Sequence, residues 1–167
     1  MYPQTCGQFL GESLPKFNHP WVDESHAPIL ICEGPRTPSD EELNSYLKRL
    51  EEWSKATRSN YAWVIRPCQL TASQRKSMVD TLKRLKPYHK RHQLAIGLAV
   101  DNTVIRGILT AVFWFAPQSM PHAVFVTKDD AFRWVTEQLQ HLIQAERSKM
   151  LPLYSTSKGC EAADKRA

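Results

Sequence analysis

Tyr61-Ala-Trp-Val-Ile65, the charged segment Thr71–Gln93 and Leu94-Ala-Ile-Gly-Leu-Ala-Val100 decide the fold. An apolar run, a helix-like stretch and a second apolar run in that order call for parallel strands joined by a covering helix. The pattern extends both ways. Upstream, Pro28-Ile-Leu-Ile-Cys32 reads as a strand closed by Gly34-Pro35, and Trp21-Val-Asp23 as a short first strand. Between Cys32 and Tyr61, Thr37 or Ser39 can cap a helix whose first turn is acidic (Asp40, Glu41, Glu42). Its inward stripe is Leu43, Tyr46, Leu47, Leu50 and Trp53, while Lys48, Arg49, Glu51 and Glu52 face water.

Thr71-x-x-Gln74 has the spacing of a capping box, and Met78, Val79, Leu82 and Leu85 read as the buried stripe of the helix it opens. Pro87 is expected to end or kink that helix. Leu94–Val100 is apolar without interruption, as a strand buried on both faces would be. Ala123–Val126 reads as a last strand. Thr127 then caps a helix through Arg147, with Ala131, Trp134, Val135, Leu139, Leu142 and Ile143 facing inward. Val104–Phe115 is ambiguous. Its β-branched and aromatic content suits a strand after an Asp101-Asn102 turn, yet its apolar positions also fit a broad helical face, and periodicity leaves the two even.

These elements predict one α/β domain over residues 21–148, a mainly parallel central sheet of 4–5 strands covered by about four helices. Residues 1–20 read as an irregular arm with Phe9, Leu10 and Phe17 pinned to the surface, and 149–167 as a disordered polar tail. A length of 167 residues with 42% hydrophobic content is enough to bury a core. No apolar run is long enough to span a bilayer, and the N-terminus has neither the basic start nor the apolar stretch of a secretory signal. Cys6, Cys32, Cys68 and Cys160 are widely spaced, as free thiols in a reducing cytoplasm would be.

The net charge of +5 is concentrated. Between Thr71 and Gln93, Arg75, Lys76, Lys83, Arg84, Lys86, Lys90 and Arg91 stand against Asp80 alone, so this segment carries +6 and the remainder −1. Lys76, Lys83, Arg84, Lys86, Lys90 and Arg91 form a candidate anion-binding patch for nucleic acid or anionic lipid, with a solvated outer helix face as the plain alternative. His89 and His92 extend the patch, and their charge is expected to rise in mild acid. A Cys68–imidazole pair has no histidine close by in sequence, and His89-x-x-His92 is too little for a metal site. Gly7 to Gly11 precedes no strand-to-helix turn, so no phosphate loop or cofactor motif is visible.

Three stretches carry a family likeness. They are Tyr61-Ala-Trp-Val-Ile65 leading into Thr71-Ala-x-Gln-Arg75, then Val104-Ile-Arg-Gly-Ile-Leu-Thr-Ala111, and Val124-Phe-Val-Thr-Lys-Asp-Asp-Ala-Phe-Arg-Trp134. Over about residues 20 to 145 the chain resembles the STAS superfamily, in its SpoIIAA-like branch grouped with lipid-binding Sec14-type domains. The resemblance implies a helix over 104–115 and a non-enzymatic regulatory domain of the bacterial cytoplasm, acting by protein–protein association without a cofactor or metal. In the anti-sigma antagonists of that family a serine at the start of the helix after the second core strand is phosphorylated. Here Thr71 and Ser73 are the nearest hydroxyls, in a segment that lacks the family's acid and glycine, and plain helix capping or first-turn exposure explains them as well. Two alternatives stand beside this function: a carrier of an apolar or lipid-like ligand, and nucleic-acid binding through 71–93. If 104–115 is a helix, Ile105, Leu109, Phe113 and Trp114 leave an apolar patch that predicts a homodimer.

Overall fold

The computed structural model describes residues 13–103 and 120–150. The chain forms an α/β domain with a five-stranded mixed sheet in the order β1-β2-β3-β4-β5. The strands are β1 (Val22–Asp23), β2 (Ile29–Glu33), β3 (Tyr61–Arg66), β4 (Gln93–Ala99) and β5 (His122–Phe125). Helices α1 (Asp40–Ala56), α2 (Ala72–His92) and α3 (Lys128–Met150) follow β2, β3 and β5. β2 to β5 pair in parallel, and β1 alone is antiparallel, pairing Val22 with Cys32. The helix or strand of Val104–Phe115 lies outside the described residues, so three of the expected four helices are seen.

Alternation along the strands sorts the core into two layers. Leu30, Cys32, Tyr61 and Trp63 point to the face covered by α1 and α2, where they meet Leu43, Tyr46, Leu47, Leu50, Trp53 and Leu85. Ile29, Ile31, Ala62, Val64, Ala95 and Ala99 point to the other face and meet Ala131, Val135 and Leu139 of α3. The α1 stripe is buried as its spacing predicts. Ser39 rather than Thr37 is its cap, accepting from the Glu42 amide at 3.2 Å while the Glu42 carboxylate accepts from the Ser39 amide at 2.8 Å.

Five expectations need correction. Phe17 is not on the surface: it is fully buried among Tyr46, Trp53 and Trp63, with ring centroids 5.5–6.0 Å apart. Arg49 holds it there by donating to the Phe17 carbonyl, so this side chain leaves the solvated face expected for it. α2 continues through Pro87 to His92. Pro87 is exposed, so water can reach the Lys83 carbonyl that its missing N–H leaves open, while buried Leu85 and half-buried Tyr88 and His89 hold the last turns on the core. Val79 and Leu82 are 46% and 41% exposed, and the inward stripe of α2 is instead Gln74, Met78, Thr81 and Leu85. In β4 the small residues Ala95, Gly97 and Ala99 are buried against α3, whereas Leu94, Ile96 and Leu98 are only half-buried.

Gly97 explains the close seating of α3. A Cβ there would lie 3.0 Å from the Ala131 carbonyl oxygen and 3.0 Å from Val135 Cγ2. Strand backbone and helix backbone meet with nothing between them.

Candidate functional site

Parallel pairing places the carboxyl ends of β2, β3, β4 and β5 along one edge of the sheet. Open α/β sheets meet ligands outside the carboxyl ends of their strands where the strand order reverses. This sheet runs from β1 to β5 without a reversal, so the place is marked by a cleft itself. A cleft of about 720 Å³ opens at this edge, lined among others by Trp21, Glu33, Arg36, Arg66, Cys68 and Lys128. A second hollow of about 370 Å³ shares Glu33, Arg66, Ala99, Asp101 and Lys128 with it.

An ion network spans the cleft. Glu33, the last residue of β2, accepts from Arg66 Nη1 at 3.3 Å through Oε1 and from Lys128 Nζ at 2.8 Å through Oε2. Arg66 also stands 3.8 Å from Asp101 through Nη2. The hydrogen bond from Lys128, joined by the charges of Lys128 and Arg66, holds the Glu33 carboxyl below its ordinary range. Glu33, Arg66 and Asp101 follow directly on apolar runs, at Cys32-Glu33, Ile65-Arg66 and Val100-Asp101, and Lys128 stands one residue further on, after Val126-Thr127. That position is the signal the sequence carries, and it is spread over four separate segments, no two of these residues being neighbours along the chain.

The loop after β3 is locked rather than reactive. Gln69 N–H donates to the Arg36 carbonyl at 2.7 Å. A Cβ on Gly34 would meet Cys68 Sγ at 2.9 Å and the Trp21 ring at 2.9 Å, so glycine is needed where the two loops touch. Burial raises the Cys68 thiol above its ordinary pKa, and a hydrogen bond with the Gly34 backbone offsets this only in part. Cys32, buried against the Tyr46 hydroxyl at 3.5 Å, is raised to about 11, with burial the main cause. Both thiols are therefore protonated at neutral pH, the opposite of an activated nucleophile.

The second candidate surface is the outer face of α2. At about 100° per residue, Arg75, Lys76, Val79, Leu82, Lys83, Lys86 and Lys90 share one arc of roughly 120°. All seven are exposed. Arg84 and Arg91 are exposed off this arc, and Arg84 is engaged at 3.3 Å by Glu51 and at 3.1 Å by Thr81 Oγ1. Among the described residues, Lys76, Lys83, Lys86 and Lys90 make no ion pair. Both ends of the helix are fastened. Thr71 and Gln74 close the expected capping box, and Gln74 Nε2 donates to the Pro38 carbonyl at 3.0 Å and to Asp40 Oδ1 at 2.7 Å. At the other end His89 Nε2 meets Ser54 Oγ at 3.3 Å.

That contact corrects the expectation for His89. The ring points inward to α1, and burial lowers its pKa to about 4, so it stays neutral in mild acid and does not join the basic patch. His92 is lowered too, by burial first and then by Arg91 and Arg58. Thr71 spends its hydroxyl on the cap, while Ser73 is exposed in the first turn. Ile105, Leu109, Phe113 and Trp114 lie outside the described residues. No helix among the described residues is long and apolar enough to cross a membrane. No protein-family model matches the chain, and neither a curated protein nor a solved structure matches it.

Proposed function

We propose that this protein is a non-catalytic association domain that docks an acidic protein surface through the outer face of α2. The observation that carries this reading is the composition of that face: four lysines without an ion partner among the described residues, with Val79 and Leu82 exposed between them. Unpaired charges steer a partner of opposite sign, and the aliphatic side chains between them offer area that loses water on contact. Nucleic acid fits this face less well, because it carries no aromatic side chain on which a base could stack. The fastened helix ends support the same reading, since a rigid face gives up little conformational entropy on docking.

A STAS-type regulatory role in the bacterial cytoplasm belongs to this proposal. In that likeness α2 is the helix after the second core strand, with Thr71 and Ser73 at its start. Self-association through Ile105, Leu109, Phe113 and Trp114 is a further part of it, supported by the apolar sequence of 104–115 alone. Light scattering tests it, with a mass near twice the 19.2 kDa chain expected.

The docking face is tested by affinity capture from the native cell extract with wild-type protein and with Lys83→Glu/Lys86→Glu/Lys90→Glu side by side. Each captured protein is then purified and titrated at about 50 mM and about 200 mM salt. Affinity for the true partner should fall at least about tenfold in the variant and weaken with salt, while the unfolding midpoint is unchanged. Equal binding by both proteins refutes the assignment of the face. Capture of anionic vesicles in place of a protein moves the partner to a lipid surface.

A further inference from the structure

We infer that the cleft at the carboxyl ends of β2, β3 and β4 binds a small organic anion, a carboxylate or a phosphate monoester, received by Arg36, Arg66 and Lys128. This site is separate from the α2 face and does not depend on it. Its volume of about 720 Å³ lies within the ordinary range for small-molecule sites. Three cationic side chains reach it from three different connections: the loop after β2, the end of β3 and the start of α3. Trp21, Ile31, Ala99 and Val100 also line the cleft, so apolar surface borders the charged groups.

Glu33 shows what the cationic groups accept. Its carboxylate already bridges Arg66 and Lys128 with one oxygen each, at 3.3 and 2.8 Å. A ligand carboxylate or phosphate offers the same pair of oxygens, and an arginine fork beside a lysine suits either. Arg36 adds an exposed guanidinium that makes no ion pair among the described residues, on a backbone fixed by the bond from Gln69. The Glu33 side chain is 37% exposed and has room to turn outward, and ion pairs at such exposure are weak enough to be exchanged. Asp23 and Asp101 also line the cleft. With Glu33 they balance the three cations, so the ligand's anionic group takes the place of Glu33 rather than adding to it. Glu33 is thus a built-in competitor that sets the affinity.

The test follows backbone amide NMR shifts of the full chain during titration with inorganic phosphate, hexyl phosphate and hexanoate. Saturable shifts are expected at Gly34, Arg66 and Asp129, with hexyl phosphate binding more tightly than inorganic phosphate because of the apolar lining residues. Saturation by hexanoate as well assigns a carboxylate ligand class; saturation by the phosphates alone assigns a phosphate. Glu33→Gln should tighten binding about tenfold by removing the competing charge, and Arg36→Gln or Lys128→Gln should weaken it about tenfold. Should Glu33→Gln not fold, the last two variants decide. Reversal of Lys83, Lys86 and Lys90 should leave these shifts as they are. The inference is overturned if no probe saturates by about 50 mM, if the shifts follow α2, or if Glu33→Gln binds no more tightly than wild type.

Discussion

Acid should unfold this protein earlier than its carboxylates alone would, and His89 is the cause. The ring is half-buried at the end of α2, against buried Ser54 of α1, and burial lowers its pKa from 6.5 to about 4. Above pH 6.5 the imidazole is neutral in both the folded and unfolded chain, and its packing contributes in full. As the pH falls from 6.5 toward 4, the unfolded chain takes up a proton that the folded chain does not, and stability is lost; below about 4 the loss levels off. Between about pH 7.5 and about pH 5 this shift corresponds to about 2 kcal/mol. Partial exposure and the favourable carbonyl end of the helix reduce the effect to roughly 1–2 kcal/mol. Glu33 and Glu51 have pKa values below the ordinary glutamate range, so their contributions fade only at lower pH. His19 and His92 are lowered as well and act in the same direction, so a control is needed. Urea unfolding followed by tryptophan fluorescence, at both pH values, should show wild type losing roughly 1–2 kcal/mol more than His89→Gln, which cannot titrate. Equal losses in the two proteins would refute the buried, neutral His89.

Three further substitutions probe the packing. Gly97→Ala should cost about 1–3 kcal/mol in chemical denaturation, because the added methyl meets the Ala131 carbonyl and Val135 at 3.0 Å. An unchanged midpoint would mean that α3 does not seat on β4 this closely. The Tyr61 hydroxyl is buried without a hydrogen-bond partner among the described residues, so Tyr61→Phe should be neutral or stabilising by up to about 1 kcal/mol; a loss of stability would reveal a partner. Thr71→Ala should cost about 1 kcal/mol through the lost cap, whereas Ser73→Asp should add about 0.3–1 kcal/mol in a first turn that has no acid. Reversed signs in thermal melts would show that the helix does not begin at Ala72.

What the chain states locally, it states plainly. The capping box of Thr71 and Gln74, the acidic first turn after Ser39, the stripe from Leu43 to Trp53 and the Thr127 cap all arise between residues a few positions apart, and each is present. Short-range sterics and hydrogen bonds make such features independent of the rest of the fold. The outcomes that sequence did not decide depend on contacts across long separations. Pairing with β2 alone makes β1 antiparallel. The aromatic cluster of Tyr46, Trp53 and Trp63 draws Phe17 from an irregular arm into the core. In α2 the apolar pattern offered two possible faces, and the seating of Leu85 and Thr81 on the core left Val79 and Leu82 to water. His89 became neutral for the same reason, turned toward Ser54 by a helix that Pro87 did not stop. The network of Glu33, Arg66, Asp101 and Lys128 joins residues up to 95 positions apart, brought together only because parallel strands end on the same edge. Sequence periodicity specifies which side chains can be buried; the packing of one element on another specifies which of them are.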